Sequence, residues 1–478
     1  MKNRTLFFTL SSLALALGAV PLSGCGYVKS YQARVAYGHY QEALAAGDLV
    51  QARNALQNLV HTEQDVSDYW IELGKLQLQM TDYRGAYDSF SHAHELDRSN
   101  VEVLSTMAQM ALLSGDVDVA NEHADSLALL SPNNPVVTVV RGFVALKAGE
   151  FEKAEQQADT ILASSPNEPF AKILKSRVFI AENRIDDAIA LLEDQHRMVP
   201  QDLSAIRGLT ELYRSRDDWR NVARAQYDAH RLNPKDNKTT LAAIEAFLRS
   251  GNVAAAAGIS APLLSPNADP RLLDDVLQLW AKYAPQEKSL PGALKMANAV
   301  SGDRRVSFAN YYNRRGDPQV AAALLQTSHL PVTHSNARWN AVLAQALALQ
   351  GRSGEAKRLF DQVLDREADQ VEALRGRSAL EAKVGQTKQA VIDAQRLVTI
   401  APGSGEDRVL LAQAYLAAGS GDQVRRTLWR AFRDLPDDER VFSALKSVLA
   451  STNDADGLRR LNDEFDDGRK VKLMIDLV

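Results

Sequence analysis

His92 and His94 are the first side chains in this 478-residue chain that invite a metal, and their spacing argues against one. Two residues apart on a helix they point about 200° apart and cannot share an ion. No His-Glu-x-x-His stretch exists, and the one cysteine, Cys25, cannot build a thiolate cluster. No metal site and no cofactor are expected. Gly351-Arg352-Ser353-Gly354 and Gly419-Ser420-Gly421 are rich in glycine, but no lysine and hydroxyl follow at phosphate-loop spacing, so both read as turns. The paired carboxylates Asp186-Asp187, Asp217-Asp218, Asp274-Asp275 and Asp437-Asp438 sit where helices start or end. Helix N-caps and dipole complementarity account for them without acid–base chemistry. No catalytic residue is assigned, and the chain is expected not to be an enzyme.

The elements that carry these residues begin after an unusual N-terminus. Lys2 and Arg4 precede an uncharged apolar run, Leu6 to Val20, which Pro21 ends. The run is short for a membrane span and has the layout of a secretory signal peptide. It closes on Leu22-Ser23-Gly24-Cys25. That sequence resembles the lipobox of bacterial lipoproteins. The resemblance implies a diacylglycerol on the Cys25 thiol, cleavage after residue 24 and acylation of the new amino group. An ordinary signal peptide cut elsewhere, with Cys25 incidental, is the competing reading. Once Cys25 carries lipid, no thiol is left for a disulfide or a nucleophile. Loss of Lys2 and Arg4 leaves 53 basic against 60 acidic residues, a formal charge of −7. Such a chain suits neither non-specific nucleic-acid binding nor a nucleic-acid partner.

A period of 34 residues organises the rest. Turn signals recur at Gly47, Thr81, Gly115, Gly149, Asn183, Asp217 and Gly251, and a second set with the same step at Gly351, Gly385, Gly419 and Asn453. Prolines keep the same time at Pro132, Pro166, Pro200 and Pro234, then Pro402 and Pro436. Glycine or asparagine tolerates the left-handed conformation that ends a helix, so these positions predict the turn inside a two-helix unit. Proline cannot continue a helix, so it predicts the boundary between units.

The residues between the markers resemble the tetratricopeptide repeat. Trp70, Leu73, Gly74, Ala86, Phe90 and Ala93 match its large, large, small pattern in helix A and its small, aromatic, small pattern in helix B. Weaker copies follow through Tyr415, Ala431 and Pro436. Arg141, Lys175 and Arg377 stand where leucine is usual, and Val222 and Val424 where alanine is. The resemblance spans roughly residues 31–465. It implies an all-α, right-handed α-solenoid of about twelve to thirteen helical hairpins, with a contour on the order of 100 Å at ~9 Å per helix.

Between Gly251 and Gly351 the rhythm falters. Prolines cluster at Pro262, Pro266, Pro270, Pro285 and Pro291, although 271–284 still reads as an amphipathic helix. The expected division is a signal peptide 1–24, a lipid-bearing tether 25–30 and an N-terminal repeat block 31–268. Degenerate repeats follow over 269–333, then a C-terminal block and cap 334–478. The middle is expected to bend the array, with plain drift in a continuous solenoid as the alternative. The polar tail around Asp463, Glu464 and Arg469 suits a terminal cap. The apolar 473–478 end suits docking on the last hairpin or a partner.

What remains for function is surface. In this repeat class the inner face of the curve is lined mainly by helix A. Carried over position by position, that face includes Phe143, Lys147, Phe170, Ile173, Arg177, Arg207, Arg214 and Arg249. Ile71, Lys75, Gln79, Gln109, Leu112 and Leu241 extend the row. Apolar groups beside positive charge suit an extended peptide with apolar and acidic side chains. A solvated helix face with ordinary packing between repeats is the plainer reading. The expected partners are envelope proteins bound through the solenoid, plus a membrane held by the N-terminal lipid. No small-molecule substrate is expected. The resemblance extends to lipid-anchored repeat proteins that help assemble exopolysaccharide, pilus or secretin export complexes. It implies a periplasmic scaffold. Gly26 after the cysteine implies outer-membrane delivery where aspartate marks inner-membrane retention. A regulatory adaptor for a cell-wall enzyme is the alternative.

Overall fold

The computed structural model describes residues 24–265, 268–285, 290–326 and 331–475. The expected signal peptide through Ser23, Pro266 within the proline cluster and the last three residues lie outside the described residues. Among the described residues every regular element is helical: twenty-six α-helices and one short 3₁₀ turn. In the regular repeats helix A spans 13 residues and helix B 14, as in Ser67–Gln79 followed by Tyr83–Leu96. No described helix is long and apolar enough to cross a membrane. The first helix is Gly24–Ala45, so residues 25–30, expected as a tether, are its opening turns.

The turn inside each hairpin is made by backbone chemistry that the period had marked. Gly47, Gly115, Gly149, Gly251, Gly351, Gly385 and Gly419 have positive φ. Thr81, Asn183, Asp217 and Asn453 adopt the same conformation without being glycine. At the second hairpin, Thr81 N–H donates to the Leu78 carbonyl at 3.0 Å and Asp82 N–H to the Gln77 carbonyl at 2.9 Å. This pair of bonds satisfies carbonyls left over at the end of helix A. Asp82 then caps helix B, its carboxylate accepting from Gly85 N–H at 3.0 Å. Asp48, Asp116, Asp218 and Asn252 repeat that cap. Asp438 caps Glu439–Ser451, and Asp186 and Asp187 lie in the first turn of theirs. Asp274 departs from the N-cap expectation. It sits inside Pro270–Tyr283 and receives Arg338 Nη2 at 2.6 Å.

Packing between helices A and B follows the small–large pattern. A Cβ on Gly74 would lie 2.9 Å from the Phe90 ring, and one on Gly376 would lie 2.4 Å from the Phe360 ring. Both rings are buried. Arg377, at a usual leucine position, is absorbed differently. Its guanidinium donates to Asp393 at 2.7 and 2.9 Å and to Asp361 at 2.8 Å. Charge-assisted bonds replace an apolar contact there.

The chain divides into two compact units, one ending at Pro166 and one starting at Asn167. The first holds four hairpins, from Gly24–Ala45 to Phe151–Ser164. Their core runs through Leu56, Leu59, Phe90, Leu104 and Leu127. The second unit is less regular. Pro270–Tyr283 packs on Gly302–Arg315, and the helix that should complete the pair, Ala293–Ala299, has only 7 residues. The helix after Gly316, Pro318–Leu325, has 8. This middle segment nevertheless contains the two largest fully buried side chains of the unit, Trp280 and Tyr311, with Phe308 beside them. Trp280 Nε1 donates to the buried Ser260 hydroxyl at 3.0 Å. Short helices and one large core set it apart from the regular repeats. Beyond it the unit turns back, and Glu439–Ser451 comes to face Asn237–Arg249.

Candidate functional site

The turn-back creates a site on the inner face of the second unit, built from residues of several repeats far apart in sequence. Arg249, in the last turn of Asn237–Arg249, is its centre. Its Nη1 and Nη2 donate to the Glu439 carboxylate at 3.1 and 2.9 Å, across 190 residues. The guanidinium carbon lies 3.4 Å from the centre of the Trp219 ring and 5.3 Å from that of Tyr283. A planar cation between an aromatic face and a carboxylate fork is an arrangement that arginine makes well. Tyr283 donates to Glu245 at 2.8 Å, and Lys282 donates to the Tyr283 hydroxyl at 2.6 Å. Burial lowers the pKa of Lys282. These groups, with Arg214 and Phe465, surround a cavity of about 300 Å³. Further along the same face Arg314 meets Glu406, and Arg375 holds the fully buried Asp407 at 2.8 and 2.9 Å.

The C-terminal helix, Ala455–Ile475, lies against two of the inner-row helices, Pro169–Ala181 and Leu203–Ser215. Phe465 stacks on Phe442 with centroids 4.1 Å apart and reaches the cavity beside Arg214 and Trp219. The apolar end of the chain therefore runs beyond its own hairpin as helix, through Ile475.

The expected groove residues do not share one environment. Arg214 and Arg249 meet at the cavity, and Arg214 also pairs with Glu211 at 3.1 Å. Arg207 is exposed and Phe170 half-buried. Ile173 and Arg177 are buried, and burial pulls the Arg177 guanidinium down to about 10. In the first unit Phe143 is buried, while Lys147 sits at the surface and holds Asp118 at 2.7 Å. Ile71 and Leu112 are buried there as well. Trp219, Tyr283, Glu439 and Phe465 were absent from the sequence-based set. No local signal marks them, because Glu439 and Arg249 belong to repeats separated by the irregular middle. Among the described residues no three of His, Cys, Asp and Glu converge as a metal site. His92 is spent on the Trp70 ring, 4.6 Å away.

This fold defines a class: an α-solenoid of two-helix repeats. A family model described as the N-terminal tetratricopeptide-repeat region of Psidin matches residues 143–263, and a tetratricopeptide-repeat model matches 341–405. Neither model is of a catalytic family. Over those stretches the chain carries tetratricopeptide-type repeats, and repeats of this kind make a protein-interaction scaffold. No curated protein matches its sequence. Among solved structures it is similar to MamA, at 14% identity over 35% of this chain and 92% of that one, with a TM-score of 0.30. It is also similar to a tetratricopeptide-repeat protein from Parabacteroides merdae, at 13% identity over 70% and 99%, with a TM-score of 0.30. PilW, a type IV pilus biogenesis factor, is 14% identical over 44% and 95%, with a TM-score of 0.33. At these values the likenesses concern the fold alone.

Proposed function

We propose that this scaffold is anchored by lipid at Cys25, faces the periplasm from the outer membrane, and helps assemble an envelope export complex by binding its protein components. The carrying observation is Leu22-Ser23-Gly24-Cys25 at the end of an uncharged apolar run, with the chain's one cysteine at the acceptor position. A repeat array whose first helix, Gly24–Ala45, already contains that cysteine supports a scaffold held close to its anchor. One acyl chain binds a bilayer weakly, whereas the two or three of a lipoprotein hold it stably. Exopolysaccharide, pilus and secretin machines are the systems in view. The peptide-taking surface is the helix A row. Partners are met at its accessible members, Arg207, Arg214 and Phe170.

Replacing Cys25 by serine tests the anchor. The expected outcome is loss of lipid labelling, with an unprocessed precursor or a soluble form in its place. Unchanged labelling and membrane fractionation would overturn the anchor. Arg207→Glu with Arg214→Glu tests the surface, by affinity capture from detergent extracts at equal folded amounts. Weaker partner recovery is expected, and equal recovery would remove this face from the reading.

A further inference from the structure

Inside the array each hairpin offers one face to the hairpin before it and one to the hairpin after. Tyr69, Trp70, Leu73, Leu76 and Met80 use the first of these faces to pack on the first hairpin, against Leu56 and Leu59. The equivalent face of that first hairpin, Gly24–Ala45 with Leu49–Thr62, has no described hairpin before it. Its residues stand 34 places earlier: Val35 for Tyr69, Ala36 for Trp70, His39 for Leu73, Glu42 for Leu76 and Ala46 for Met80. Small or polar side chains replace large apolar ones, and a groove of about 810 Å³ is left between the two helices. Buried Ala43 and Ala55 make its floor, and Tyr31 and Val35 stand exposed at its rim. A repeat end that meets only water is expected to be polar and charged. This one is hollow, and no lysine or arginine lines it. Glu42 lies 3.9 Å from His39 on its own helix, and Asp48 accepts from Gln51 N–H at 3.0 Å. On the second helix Gln51, Asn54, Asn58 and His61 are all exposed and recur at steps of three and four residues, so they share a face. Amides both donate and accept. Each can bond its own copy across a two-fold axis, where a row of lysines or carboxylates repels itself.

We propose that this face is an isologous interface whose occupant is the same face of a second copy of the chain. Tyr31 and Val35 of each copy enter the alanine-floored groove of the other, and Asn54 and Asn58 meet the same amides across the axis. Hairpin stacking then continues from one chain into the next. Fourteen residues line the groove, against ~20–30 a side in a standard stable interface. The contact is therefore weak between free molecules and gains from a raised local concentration. The lipid proposed at Cys25 supplies that, because it holds every copy by this same end. Tyr31 lies only about 9 Å of helix beyond the cysteine. A two-fold axis along the membrane normal lets both anchors enter one leaflet. The strengthening by the membrane rests on the anchor reading, whereas the pairing of the faces does not. A paired scaffold carries two sets of repeats, so a partner with two binding segments gains avidity.

The test is cross-linking of the full chain in vesicles of phosphatidylethanolamine and phosphatidylglycerol and, at high protein concentration, in detergent. Asn58→Cys puts a thiol on the face, and Glu152→Cys puts one at an exposed site in another hairpin. A short bis-maleimide should link the Asn58→Cys chain into dimers about tenfold more than the Glu152→Cys chain. Adding Val35→Glu, at an exposed position, sets like charges against each other across the axis. It should abolish the link and leave the thermal midpoint unchanged. Should Val35→Glu lower the midpoint, Asn54→Glu on the exposed side of the second helix takes its place. Equal linking from the two thiol sites in both media, or linking that neither glutamate reduces, would overturn the proposal. The unsubstituted chain is the control for Cys25. A Cys25 thiol that reacts with maleimide, in a chain that stays out of the vesicles, counts against the anchor alone, and linking in detergent then decides the interface.

Discussion

At Thr81 a β-branched residue holds φ of +59°. The Schellman bonds of Thr81 and Asp82 keep it there despite the clash of its Cβ with the following carbonyl. Glycine has no such clash. Thr81→Gly should therefore stabilise the first unit by roughly 1 kcal/mol, after the greater entropy of unfolded glycine is subtracted. Urea denaturation should show a higher midpoint, and a lower one would mean that Thr81 makes a compensating contact. Gly376 poses the opposite problem. An added methyl would lie 2.4 Å from a fully buried Phe360 ring. Overpacking costs about 1–3 kcal/mol, while the better helix propensity of alanine returns at most ~1. Gly376→Ala should lower the thermal midpoint of the second unit. An unchanged or raised midpoint would show that Phe360 moves aside freely.

For the elements, regularity comes from local chemistry repeated. From Ser67 a 13-residue helix, a left-handed residue and a 14-residue helix recur until Gly251 and again from Gly351. A side-chain cap closes the turn after Thr81, Gly115 and Asp217 but not after Gly149, Asn183, Gly351, Gly385 or Gly419. Trp70 shows how far local pattern leads. Its position in the repeat predicts a buried aromatic anchor. In the fold it is partly exposed, donating to the Gln64 carbonyl at 3.0 Å and covering His92. Trp70→Ala should thus loosen the Ser67–Leu96 hairpin by less than the ~3–5 kcal/mol of a fully buried tryptophan. Hydrogen exchange of that hairpin measures it, and a loss at or above that range would mean fuller burial. The irregular elements have a physical reason too. Ala293–Ala299 and Pro318–Leu325 are short, and Trp280, Tyr311 and Phe308 supply the bulk of the core where Pro270–Tyr283 packs on Gly302–Arg315 beside them.

Across the whole molecule, the second unit depends on pairs that no single repeat contains. Arg249 and Glu439 are the clearest, with Trp219 behind the guanidinium. Hydrogen bonds to charged groups contribute about 1.5–3 kcal/mol, less where the partners touch solvent, as Glu439 does. A double-mutant cycle of Arg249→Gln and Glu439→Gln should give a coupling energy near 1 kcal/mol, read from urea denaturation and reduced at high salt. Additive effects would mean that the pair does not hold the turn-back together.

The sequence by itself determined what depends on neighbours within a hairpin. Gly115 with Asp116, or Gly74 with Phe90, can be read locally because the backbone bonds and the A–B contact that need them lie within one repeat length. It also carried the Leu22-Ser23-Gly24-Cys25 stretch, whose proposed lipidation would need no fold. Only the tertiary structure decided what Arg249 and Phe465 touch. Their partners depend on the path of the array through the irregular segment around Trp280. A small change in angle at each repeat adds up along the chain, and no short stretch of residues encodes the sum. The same path brings the helix Ala455–Ile475 against Pro169–Ala181 and Leu203–Ser215. A row of arginines that reads as open to solvent in the sequence is, in the folded chain, partly occupied by the chain's own carboxylates and its own last helix.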